Sequence, residues 1–209
     1  SDENSDIMTE LFGKLGVTSE SVVTPFAGND GFVLSDGSAS VLIEDEKAAR
    51  ERGARIYCHA AGYGMAHSTV KFGTLTGSEA GLTNAVNNAL ADAGMTIDDI
   101  DAVFGFANGM KAVDDVEIKG LTAVFGDKLA EKPVVELKEV LGESRAAAAT
   151  TAAAHAALMF AGKIPSQEAY SIAADGSVSK TNVEASKLNN VLVVAYGAGG
   201  SYTAIVLSK

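Results

Sequence analysis

Apolar and polar positions along this chain switch between a period near 3.6 and a period near 2, and the switches mark out its elements. Residues 7–15, IMTELFGKL, predict a short helix. Residues 31–44, GFVLSDGSASVLIE, predict two strands around a turn at Asp36-Gly37. DEKAARERG predicts a charged helix closed by Gly53, and ARIYCHAAGYG a strand. GSEAGLTNAVNNALADAGM predicts an amphipathic helix with Ser78 as N-cap, stopping at Gly94. IDAVFGFA reads as a strand, VDDVEIKGLTAVFG as a helix and KPVVELK as a buried strand. ESRAAAATTAAAHAALMFAGK is an alanine-rich helix, and NNVLVVAYG and SYTAIVLS are a closing pair of strands. Strands alternating with helices predict an α/β fold with a mostly parallel sheet and helices on its faces.

The alanine-rich helix changes the picture. Residues 146–157 carry mostly methyl groups on every side, and a helix without a polar face is normally enclosed by protein. A chain of 209 residues is short for enclosing it, so a further layer from outside these residues is expected. Composition adds bounds. With 47% hydrophobic residues and three prolines, one compact unit with a sizeable core is expected. The formal charge of −11 argues against a nucleic-acid partner, because a row of phosphates needs cations opposite it. No run of about 18 apolar residues is present to span a membrane. The start, SDENSDIMTE, is polar and acidic rather than a secretory leader. The single cysteine, Cys58, fits a reducing cytoplasm.

Residues 25–64, PFAGNDGFVLSDGSASVLIEDEKAARERGARIYCHAAGYG, resemble the β-ketoacyl synthase segment PFD, RDGFV, GEGA, LE, RGA-x-IY, GYG. The resemblance continues through Asn108, the stretch Lys138–Gly142 and the closing AYGAGGSYTAIVL. It covers the chain from about residue 22 and only the C-terminal half of that family's sequence. It implies the C-terminal half of a thiolase-like fold over residues 22–209, preceded by an acidic segment and short helix over 1–21.

The same resemblance locates a site and its departures. The family's first catalytic histidine, in H-G-T-S-T, falls on Asn108, within Asn108-Gly109-Met110-Lys111-Ala112. The acidic D-x-x-E falls on Asp114 and Glu117, expected to be structural. In K-S-x-x-G-H, Lys138 and Gly142 match, but the second histidine is Glu143. In the closing glycine-rich motif Gly197, Gly199 and Gly200 match; Tyr196, Ala198 and Met110 fall at tunnel or gate positions, with Ala198 in place of a phenylalanine. No segment matches the one that carries the family's nucleophilic cysteine.

Two imidazole N–H donors would stabilise the enolate oxygen formed when a malonyl thioester loses CO2; losing one such donor costs roughly 3 kcal/mol. An amide at 108 cannot exchange protons, and an ionised Glu143 would oppose the developing charge. The resemblance therefore implies a catalytically degenerate subunit, most like the chain-length factor of type II polyketide synthases, with no cofactor and no metal. Its implied partners are an active ketosynthase, a polypeptide supplying the N-terminal half of the fold, and an acyl carrier protein reached through the complex. Two alternatives stand beside it: an active acyltransferase with an atypical Asn108/Glu143 site, and a purely structural scaffold.

Simpler structural roles are weighed for each residue. Asn108 can cap a turn; Glu143 can sit at a helix start; Lys138 can pair with Asp114 or Glu117 as a scaffold cation. Cys58 reads as a core thiol. His59 and His67 lack metal-ligand spacing, and His155 reads as a packed, hydrogen-bonded residue. GAGG near residue 200 is followed by a strand and so lacks the helix N-terminus of a phosphate loop.

Overall fold

The computed structural model describes residues 1–20, 24–28, 31–71 and 77–209. In chain order the elements are α1 (Asp6–Lys14), α2 (Glu46–Glu51), β1 (His59–His67), α3 (Glu79–Ala93), β2 (Ala102–Phe104), α4 (Lys111–Phe125), β3 (Val134–Val135), α5 (Lys138–Leu141), α6 (Ala148–Phe160), β4 (Ser166–Ile172), β5 (Val178–Glu184), β6 (Asn190–Gly197) and β7 (Ser201–Ser208). Seven strands form one sheet in the order β1-β7-β6-β2-β3-β4-β5.

The sheet is mixed. Only β6-β2 and β2-β3 are parallel; the pairs outside them are antiparallel. Two hairpins account for the difference from a mostly parallel sheet. One joins β6 to β7 through Gly197–Gly200. The other joins β4 to β5 around Asp175-Gly176, with Gly176 at φ +82°, and was not anticipated from the sequence. Its strands carry mixed polar residues, SQEAYSI and VSKTNVE, because β5 is an exposed edge strand with little apolar alternation to read.

Side-chain alternation sorts the core into two layers. Val103, Val134, Leu192 and Val194 face α3 and α4, whose Leu82, Val86, Leu90, Val113, Leu121 and Phe125 complete that layer. Ala102, Phe104, Val135, Val191 and Val193 face the opposite way, onto Ala152, Ala156, Met159 and Phe160 of α6. One face is thus covered by two helices and the other by one. The far side of α6 stays open: Ala149 and Leu158 are exposed, and most of its alanines are only half-buried.

α3 lies unusually close to β1. A methyl built on Gly64 would come 2.0 Å from Ala85 O, so the glycine permits backbone-to-backbone contact. Ser78 stands at the N-cap of α3, but its side chain makes no capping hydrogen bond; its backbone N–H donates to the Tyr202 hydroxyl at 2.5 Å. Gly94 closes the helix in the left-handed conformation, φ +64°.

The expected hairpin over 31–44 does not form. Its first part pairs with other segments: Thr18 with Phe32, Leu34 with Glu143, and Gly37 with Asp2, each as an isolated bridge. Partners far along the chain take up backbone groups that a turn at Asp36-Gly37 would have paired locally. The expected division at residue 21/22 falls on residues outside those described.

Candidate functional site

The site grows from the end of β2. After Phe104 the chain leaves the sheet as Gly105-Phe106-Ala107-Asn108-Gly109, and its amide groups need acceptors. Two acids three residues apart on α4 supply them. Both oxygens of Glu117 accept from the Phe106 amide, at 3.1 and 3.0 Å. Asp114 Oδ1 accepts from the amides of Asn108 and Gly109 at 3.0 and 3.2 Å, and Oδ2 from Phe26 at 2.7 Å.

Asn108 points into a cluster with both its polar ends engaged. Its Oδ1 accepts from the Met110 amide at 3.1 Å, a side-chain-to-backbone turn that starts α4. Its Nδ2 donates to Glu143 Oε2 at 3.0 Å. Lys138 Nζ donates to the same oxygen at 2.7 Å and to the Phe106 carbonyl at 3.0 Å. Glu143 Oε1 accepts from the Arg145 amide at 2.8 Å. The Glu143 backbone is fixed by Val33 O and the Ser35 amide, at 2.7 and 3.2 Å.

Lys138 therefore pairs with Glu143, not with Asp114 or Glu117, and it sits in the single turn of α5 rather than at a strand end. Burial pushes the Glu143 carboxyl up. The charge of Lys138 and the hydrogen bonds from Lys138, Asn108 and Arg145 outweigh it and hold the group below its ordinary range. Glu143 is ionised.

Behind this cluster lies a second acid that the sequence reading passed over. Glu136 is 4% exposed, and neither of its oxygens faces a donor among the described residues. A methyl on Gly105 would lie 1.9 Å from Glu136 Oε1 and 2.1 Å from Glu117 Oε1, so the two carboxyls flank one glycine. Burial and then the Glu117 charge push Glu136 well above the carboxylate range. Burial and the Asp114 charge raise Glu117 to about 7, against the Phe106 amide, which lowers it. One proton held on Glu136 and donated to Glu117 resolves both. An acid inside the apolar run KPVVELK was the visible signal.

A cavity of about 390 Å³ opens over Asn108, Lys138 and Glu143. Met110, Tyr196 and Ala198 line it, as do Phe12 and Phe32, two residues the sequence did not single out. These two rings meet edge-on at 5.7 Å, which brings α1 over the cavity. Asp2 strengthens that placement by accepting from Arg145 Nη2 at 2.7 Å and Nε at 3.0 Å. The Tyr196 ring lies 5.7 Å from Phe106 and 5.3 Å from Tyr202; burial, with Tyr202 nearby, raises its hydroxyl to about 12. Gly197, Gly199 and Gly200 form the β6–β7 turn, where a methyl on Gly200 would meet Ser68 O at 2.3 Å.

The remaining candidates lie elsewhere. His155 faces Phe104, with ring centroids 6.0 Å apart, and bonds to Gln167, with its Nε2 buried and unpartnered. Burial lowers its pKa, so it is neutral. Burial raises the Cys58 thiol, which keeps it protonated. His59 stands 3.7 Å from Glu46, and His67 ends β1. Among the described residues no group of three metal-binding side chains occurs, and no helix is long and apolar enough to cross a membrane.

Comparisons with known proteins agree on one family. Residues 57–170 match the beta-ketoacyl synthase C-terminal domain. The polyketide beta-ketoacyl synthase 2 of Streptomyces coelicolor is 32% identical over 86% of this chain and 42% of its own. The tetracenomycin polyketide synthase ketoacyl synthase alpha subunit of Streptomyces glaucescens is 29% identical over 88% of this chain and 45% of its own. The solved ishigamide ketosynthase/chain length factor superposes with TM-score 0.84 at 25% identity, over the whole of this chain and 52% of that one. This chain thus spans about half the length of the relatives it matches. The matched domain, the identity to the Streptomyces proteins and the shared thiolase-like fold place this chain in the beta-ketoacyl synthase family, where it corresponds to the C-terminal part.

Proposed function

We propose that this chain is the C-terminal half of a degenerate ketosynthase-like subunit, a chain-length factor. In this role it shapes the tunnel in which an acyl or polyketide chain grows and does not drive the bond-forming step. The observation that carries the proposal is the closed circuit of Asn108, Lys138 and Glu143. Both polar ends of the Asn108 amide are engaged, and its Nδ2 is turned to a carboxylate 3.0 Å away. A substrate enolate placed there would meet the ionised Glu143 rather than two imidazole donors, which raises the barrier. The Lys138 charge is already neutralised by Glu143 at 2.7 Å.

The cavity favours a tunnel role over a purely structural scaffold. Its wall is mostly apolar, with Met110, Tyr196 and Ala198 at its side, suiting a growing hydrocarbon or polyketide chain. The nucleophilic cysteine then belongs to a partner, an active β-ketoacyl synthase, and the rest of the thiolase-like fold to a polypeptide carrying the N-terminal half. Carrier protein reaches the site through that assembly. One solved structure that shares this fold, TM-score 0.80 at 19% identity, is a type II acyl-carrier protein in complex with its ketosynthase bound to a hexaketide.

Product analysis tests the reading. In the assembled synthase, Ala198→Phe fills the cavity and shortens the product while the complex stays intact. Unchanged product length with an intact complex would favour the scaffold alternative. Condensation of malonyl-carrier substrates by this chain alone would favour the active-enzyme alternative.

A further inference from the structure

Successive residues of an α-helix point about 100° apart, and α5 uses this to face two ways. Lys138 turns inward, to Glu143 at 2.7 Å and the Phe106 carbonyl at 3.0 Å. Glu139 turns outward, to the β4–β5 hairpin. Its Oε2 accepts from the Tyr170 hydroxyl at 2.6 Å and from Lys180 Nζ at 2.5 Å. Tyr170 and Lys180 are direct cross-strand partners. The Lys180 ammonium sits over the Tyr170 ring, 4.3 Å from its centroid, and also pairs with Glu168. Burial, and then the Glu139 carboxylate, push the Tyr170 hydroxyl above its ordinary range, so it stays protonated and donates.

α5 needs that hold. It is a single turn, Lys138–Leu141, with no side chain capping its N-terminus, and a helix so short is unstable by itself. Val140 and Leu141 are 79% and 48% exposed, so little apolar packing fixes it. With its flanks it nevertheless supplies one wall of the cavity, through Leu137, Lys138, Leu141, Gly142 and Glu143. Tyr170 reaches the other arm of the site as well. Its ring meets Phe26 edge-on at 5.2 Å, and the Phe26 amide donates to Asp114, the acid that also holds the Asn108 amide. Neither Tyr170 nor Lys180 lines the cavity. The match to the family's C-terminal domain ends at residue 170, so the hairpin turn and Lys180 lie beyond it.

We propose that Tyr170 and Lys180 are positioning residues: through Glu139 they set where α5 stands, and thereby the cavity wall that limits the length of the occupant. This rests on the chain-length reading above for what the cavity holds, and adds which residues outside the cavity control its size. The hairpin acts as a spacer. Its two donors fix one carboxylate, and the residue that carries it is the neighbour of Lys138. With the hairpin contact released, Leu137 and Leu141 no longer present one defined wall, so product lengths spread.

The test combines amide hydrogen exchange with product analysis on the assembled synthase, its assembly verified by mass. Lys180→Met removes an ammonium whose side chain is 42% exposed, and Tyr170→Phe removes only a hydroxyl. In the double variant, exchange at residues 140–142, whose amides close the α5 turn, is expected to quicken by at least about 10-fold while α3 and α4 are unchanged. Product lengths absent from the parent are expected beside the parent product. Lys180→Met alone moves both readouts the same way, should the double variant fail to assemble. Lys180→Arg, which keeps the charge and stacks on the ring, retains the parent exchange and products. A merely structural role would quicken exchange in all elements together, or lower turnover at unaltered product lengths, and either result overturns the proposal. Unchanged exchange at 140–142 also overturns it. Ala198→Phe separates the proposal from the functional reading. If Ala198→Phe shortens the product and the hairpin variants leave product lengths unaltered, the hairpin proposal fails alone. If neither alters product length, the chain-length reading fails with it.

Discussion

Lys138 Nζ and Glu143 Oε2 stand 2.7 Å apart where β-ketoacyl synthases are expected, by resemblance, to hold a lysine and a histidine. The pair is largely out of solvent, with side-chain exposures of 15% and 9%. Removing one member strands a buried charge, which costs several kcal/mol, whereas replacing both with apolar groups of similar size need not. Lys138→Met is therefore expected to lower unfolding stability by about 3 kcal/mol. Lys138→Met combined with Glu143→Leu is expected to recover most of that loss. Urea titrations of the two variants and the parent check it.

The carboxyl pair Glu117–Glu136 predicts a pH dependence of stability. Glu117 has an ordinary value of 4.5 and is raised to about 7 in the fold. A raised acid binds its proton more tightly folded than unfolded, so its contribution is most favourable below about 4.5 and is lost as pH rises toward about 7. The loss is on the order of 3 kcal/mol for that shift. Thermal melts from pH 5 to pH 8 should show the decline, and Glu136→Gln should flatten it, because the amide supplies a hydrogen to Glu117 at every pH.

Gly105 separates those carboxyls. A methyl there would sit 1.9 Å from Glu136 Oε1, and both residues are walled in. Gly105→Ala is expected to destabilise the fold by about 3 kcal/mol, the upper end for overpacking, because two buried acids must move. Gly176→Ala is the contrast at an exposed turn: its methyl would meet only Ile118 Cγ2 at 3.9 Å, and its cost comes from φ +82° alone. Chemical denaturation ranks the two.

Much of this arrangement was legible in the sequence because periodicity reports burial. The helices at 79–93, 111–125 and 148–160 and the strands at 102–104, 190–197 and 201–208 follow the apolar pattern. The β4–β5 hairpin escaped because β5 lies on a sheet edge, where polar residues such as Lys180 and Asn182 leave no alternation. Residues 31–44 suggest a hairpin because their composition is strand-like; the partners that Phe32, Leu34 and Gly37 take instead, Thr18, Glu143 and Asp2, are too distant in sequence for any local rule. At the site, the resemblance to β-ketoacyl synthase motifs brought Asp114, Glu117, Asn108, Lys138 and Glu143 to notice. It did not indicate which acid Lys138 would pair with, since that depends on α5 turning back beneath the Phe106 carbonyl.

On the proposed role, the residue at position 108 supports a shape and handles no proton. The direct measurement is the initial condensation rate of the assembled synthase carrying Asn108→Ala, at saturating malonyl-carrier substrate, with assembly verified by mass. With position 108 in that role, the rate stays within about twofold of the parent. A fall of about 100-fold or more, the size expected for a lost oxyanion donor, in an assembly of unchanged mass would contradict it.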